Sequence, residues 1–137
     1  MNRSIQTVGP ILLSAAVYVV AYLLHHALFR AVNSPVNYGA HPHSFFGQAS
    51  VELLTLAVPI ACGATAARLS SSHPIWVAAV AGGVGALVSN FFFSYLGQEL
   101  AGPNTGGAAA DMSVAVIYQA VICALAGGAF SSLRNAR

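Results

Sequence analysis

Four long apolar runs dominate the chain, at residues 8–29, 49–67, 75–96 and 112–130. A helix needs about 20 apolar residues to cross the hydrocarbon core of a bilayer, and each run meets or approaches that length. Backbone groups find no water there, so a spanning segment must bond within itself as a helix or within a closed barrel. Runs this long, without two-residue alternation, specify helices. The expected fold class is all-α: an integral membrane bundle of four transmembrane helices, a single domain over residues 1–137.

Composition points the same way. Of 137 residues 57% are hydrophobic and 6% charged, with five Lys+Arg, all of them arginine, and three Asp+Glu. Soluble domains carry about a quarter charged residues. Eight formal charges cannot cover a water-soluble surface, and a mean hydropathy of +0.72 suits a chain solvated by lipid. The net charge of +2 comes from scattered arginines. Nucleic-acid binding needs clustered cations, so that class of partner is excluded. The expected partners are the lipid bilayer and other membrane subunits or copies of the chain itself.

The first run begins soon after Arg3 and resembles the start of a signal peptide. Its length of about 22 residues exceeds the usual apolar core of about 7–15, and no small-residue cleavage site follows it. It reads as an uncleaved span, with Pro10 in its first turn. Between the first two runs lies AVNSPVNYGAHPHSFFGQ, and between the last two GQELAGPNTGGAAAD, both broken by Gly and Pro. The second and third runs are separated by only LSSSHP, which predicts a tight antiparallel hairpin.

With four spans both termini share a side. Arg3, Arg68, Arg134 and Arg137 then fall on that side and Arg30 alone on the other. The positive-inside bias makes the termini and the second loop cytoplasmic, and the first and third loops periplasmic or extracellular. Size and simplicity suit a bacterial inner membrane.

Orientation gives each polar residue a depth. Tyr18, Tyr22 and His26 follow one another at i+4 on the first span, with His25 beside them and Arg30 at its outer end. Glu52 opens the second span, Asn90 lies in the outer half of the third, and Tyr118 and Gln119 lie in the outer half of the fourth. A polar side chain in hydrocarbon needs a partner or a wet cavity. These residues are therefore the candidates for a polar cavity in the outer leaflet. Glu52 has a plainer reading as a first-turn acid that complements the helix dipole. Small residues mark the expected helix contacts: Ala78, Gly82 and Ala86, with Gly85 on a neighbouring row, and Ala120, Ala124 and Gly128 on the fourth span.

His25, His26, His41 and His43 are the candidate metal ligands, weak ones because their spacing shows no convergence toward a tetrahedral site. Cys62 and Cys123 lie in apolar runs outside any CxxC, which predicts packing residues rather than a disulfide or thiolate metal site. The sequence requires no cofactor. AGGVGA in the third span lacks the strand and spacing of a nucleotide loop, and no catalytic motif is present.

Three functions fit. The first is an accessory or anchor subunit of a larger membrane complex. The second is a small oligomeric ion or solute transporter or channel with Glu52 as coupling group. The third is a redox helper that holds a quinone or metal among Tyr22, His26, Glu52 and Asn90.

Overall fold

A computed structural model shows four helices: α1 (Arg3–Val32), α2 (Phe45–Leu69), α3 (Pro74–Ala101) and α4 (Ala108–Asn135). The structure describes residues 3–32, 45–101 and 108–136. Side chains are described for 7–28, 53, 55–92 and 113–136. Three segments are long and apolar enough to cross a membrane, Thr7–Leu28, Pro74–Phe92 and Ser113–Asn135, and Thr55–Leu69 of α2 is a shorter apolar stretch.

The helices outrun the apolar runs that nucleate them. GQELA continues α3 to Ala101, and α2 begins inside the first linker at Phe45. α3 ends just before Gly102-Pro103, where the residue preceding proline is steered away from helical angles. The early starts bring two corrections. Pro10 lies inside α1 and not in its first turn, because the helix begins at Arg3. Glu52 lies two turns into α2, and no acid occupies the first turn of that helix. The dipole acts within about one turn of a terminus, so the first-turn reading of Glu52 fails.

α2 and α3 are joined by residues 70–73 alone. Ser70 N–H closes α2 on the Ala66 carbonyl at 2.9 Å, and Val77 N–H opens α3 on the His73 carbonyl at 3.0 Å. His73 N–H donates to Ser70 Oγ at 3.3 Å, and Pro74 fills the first helical position, where its missing donor costs nothing. α3 packs most extensively on α4, and both α2 and α3 also pack on α1 and on each other. α1 and α4 barely meet, so they occupy opposite corners of a rhombus with α2 and α3 across its short diagonal.

The interior is built from small residues. Cys62, Ala66, Ala78, Ala81, Ala86 and Cys123 are fully buried, with Ala15, Tyr18, Val58 and Val77 around them. Lipid supplies no hydrophobic drive between helices, so close backbone approach must supply the contact energy. Four glycines provide it. A Cβ on Gly63 would lie 2.6 Å from Ala126 Cβ and 2.7 Å from the Gly127 nitrogen. On Gly82 it would lie 2.5 Å from Cys123 Sγ, on Gly85 2.7 Å from the Tyr18 ring, and on Gly127 2.7 Å from Ala78 Cβ. Large apolar side chains, among them Leu12, Leu24, Trp76, Ile117 and Leu125, point outward as a lipid-solvated surface requires.

Candidate functional site

The polar residues of the bundle sort into three levels along its axis. Toward the α1 C-terminus, His25 Nε2 and Thr55 Oγ1 share a hydrogen bond of 3.2 Å that ties α1 to α2. His26 is half-buried beside them, and Tyr22 is half-buried one turn below. Asn90 on α3 donates from Nδ2 to the Ala86 carbonyl of its own helix at 2.9 Å. Gln119 on α4 sits lower, with its backbone carbonyl against Gly82; it is half-buried, and its Oε1 finds no hydrogen-bond partner among the described residues. Tyr118 lies on the outer face of α4 and is exposed.

Arg30 and Glu52 belong to α1 and α2 at this same end, but their side chains lie outside the described residues. His41 and His43 lie outside them altogether. Of the sequence candidates, the described contacts bring together His25 and, through ring stacking, Tyr18 with Tyr22. Thr55, which is not among the sequence candidates, is the residue that joins His25.

One turn and more below sits the closed middle layer. Tyr18 and Tyr22 stack with ring centroids 6.4 Å apart and an interplanar angle of 11°, within the range of favourable offset pairs. Tyr18 presses on Gly85, the Cys123 thiol presses on Gly82, and Cys62 of α2 belongs to the same buried cluster. All four helices contribute to this layer. Both cysteines are free thiols with no exposed surface. Ser14 and Ser89 are buried near it, and their hydroxyls have no partner among the described residues. Each such orphan costs about 1–3 kcal/mol.

The third level is the arginine end. Arg68 and Arg134 stand in the last turns of α2 and α4. Arg134 donates from a guanidinium nitrogen to the Ala67 carbonyl at 2.7 Å and so caps the neighbouring helix. Cations suit helix C-termini, where the summed peptide dipoles leave partial negative charge. A cavity of about 450 Å³ opens here between α2 and α4.

A smaller apolar cleft of about 210 Å³ lies between α1 and α3, walled by Val19, Leu23, Val88 and Phe92. Phe91 and Phe92 are both exposed on the bundle surface. Among the described residues no three of His, Cys, Asp and Glu stand where they could share a metal ion.

The fourth helix makes its closest contacts through Cys123, Ala126 and Gly127. Ala120, Ala124 and Gly128 flank that line and are half-buried. On the third helix Ala78, Gly82, Gly85 and Ala86 are all buried. Comparison of the chain with known protein families, with curated proteins and with solved structures gives no match in any of the three.

Proposed function

We propose that the chain spans a bacterial inner membrane four times, with its arginine end cytoplasmic, and serves as an accessory or anchor subunit of a larger membrane complex. The closed middle layer carries this reading. Its two glycine contacts, at Gly82 and Gly85, leave no room even for a methyl group, so a water-filled path through the described core would require the helices to separate. A bundle packed this way suits a scaffold. The positive-inside bias supports the orientation, since Arg68 and Arg134 gather at one end.

The test is extraction in a mild detergent followed by identification of whatever co-purifies. Larger membrane subunits in stoichiometric amount are expected. A chain that is recovered alone or only with copies of itself, from membranes in which it is expressed at native level, overturns the reading.

A second reading, a small oligomeric transporter or channel, is favoured by one observation. Glu52 lies two turns inside α2, where the helix dipole does not account for a carboxylate. Flux into liposomes by wild type and by Glu52→Gln separates the two functions. Flux that Glu52→Gln abolishes establishes transport through that residue. Equal flux in both removes Glu52 from the mechanism, and no flux in either leaves the subunit reading standing.

A further inference from the structure

We propose that the cavity between the last turns of α2 and α4 is a binding site for an anionic phospholipid, with Arg68 and Arg134 holding its phosphate. The inference stands whether or not the chain joins a complex.

Charge is the first argument. Arg68 and Arg134 both line the cavity. Two guanidinium groups outweigh the roughly half-unit negative charge at each of the two helix C-termini, leaving a net charge of about +1 for an external anion. The Ala67 carbonyl takes only one of the five N–H donors of Arg134. The remaining fork keeps the geometry that matches a phosphate. Among the described residues no carboxylate side chain stands at this end to supply the counter-charge. Glu52 lies at the far end of α2, roughly 24 Å along the axis from Arg68 at 1.5 Å per residue. Glu99 closes α3 and Asp111 opens α4, both at that far end.

Shape is the second argument. Beyond the arginines the walls are Ala64, Phe130 and Leu133, with Thr65 between them. The Thr65 hydroxyl donates to the Ala61 carbonyl at 2.8 Å, so it presents no free donor to the cavity. One end is therefore cationic and the rest is apolar. The cavity is within the usual range of ligand sites, about 300–1,000 Å³. A soluble phosphate would leave those apolar walls bare, whereas a phospholipid covers them with the first part of an acyl chain. Such basic sites between helices near a membrane surface are where anionic head groups are held.

The experiment uses the full chain reconstituted in bilayers of phosphatidylcholine mixed with phosphatidylglycerol. The chain is then transferred to mild detergent, and the lipid it retains is counted by mass spectrometry of the intact protein. Wild type is expected to retain phosphatidylglycerol in preference to phosphatidylcholine. Arg68→Ala should lower that preference about fivefold, the effect of one cation near an anionic surface. Arg68 makes no hydrogen bond within the described structure, and Arg68→Gln, which keeps the chain length, should behave alike. Arg137→Ala removes the same charge beyond the end of α4 and should leave the preference nearly intact. Three results overturn the proposal: no preference in wild type, an equal loss in Arg137→Ala, or displacement of the lipid by millimolar inorganic phosphate. The second would reduce the effect to diffuse surface charge, and the third would make the site one for a soluble anion.

Discussion

At the level of Tyr18 the helices touch through glycine, aromatic ring and sulfur, whereas at the level of His25 α1 and α2 touch through a hydrogen bond between side chains. The two levels solve one problem in opposite ways. In the middle layer, polar groups are few and the backbones approach until a single methyl group would collide. Toward the α1 C-terminus, Tyr22, His25, His26 and Asn90 are only half-buried, and contact is made by polar atoms over longer reach. Shape holds the first region, and directed bonds hold the second. The first should tolerate no added volume, and the second should lose little when one bond is removed.

The largest expected effect comes from Gly63→Ala. Its methyl would meet two backbone atoms of α4, the Gly127 nitrogen and the Cys123 carbonyl, which cannot rotate away. A loss of about 3 kcal/mol, the upper part of the overpacking range, is expected in reversible unfolding in detergent. Gly9→Ala, where nothing lies within 4 Å, should be close to neutral in the same assay. Helix propensity favours alanine at both positions, so a similar loss at Gly9 would break the distinction, because it would show that the cost does not come from the contact at Gly63.

Next comes Gly82→Ala, opposed by Cys123 Sγ and Cβ. Here the colliding atoms belong to a side chain, so the double variant Gly82→Ala/Cys123→Gly should recover part of the loss. A coupling of about 1–3 kcal/mol in a double-mutant cycle is expected for residues in direct contact. Strict additivity would mean that the two helices separate there.

Arg134→Gln should cost about 1 kcal/mol, since it removes a charge-assisted bond to the Ala67 carbonyl at a partly solvated helix end. Thr55→Val should cost least, about 0.6 kcal/mol, the average for a side-chain hydrogen bond between membrane helices. A value above 2 kcal/mol at Thr55, measured by the same unfolding, would show that the polar level carries as much of the stability as the packed one.

Much of the packed region can be read from the chain and little of the polar one. The third helix carries Ala78, Gly82 and Ala86 on one row and Ala81, Gly85 and Ser89 on the next, and all six are buried. The fourth helix is harder to read. Its small residues run in several adjacent phases from Ala120 to Gly128, and Cys123 joins the contact line only because Gly82 faces it. Phase is a property of the pair of helices, and neither sequence contains it alone. Polar depth suffers from a similar ambiguity. Tyr118 and Gln119 are neighbours in sequence, about 100° apart on the helix, so one faces outward while the other is half-buried. The start of α2 was hidden as well, because Phe45 and Phe46 extend the helix past a linker whose Gly and Pro content suggests coil. Glu52 changes meaning with that boundary.

The two sulfur atoms at the centre of the bundle also make the molecule its own gauge of motion. Cys62 and Cys123 have no accessible surface, and the chain holds no other cysteine. A membrane-permeant alkylating reagent can reach either only during excursions in which the helices part. Where such openings close faster than the reagent reacts, the rate of labelling reports the free energy of that opening rather than of global unfolding. Breathing of the closed layer thus becomes a kinetic quantity that can be followed in an intact membrane, with each partner, lipid or glycine substitution registering as a change in labelling rate.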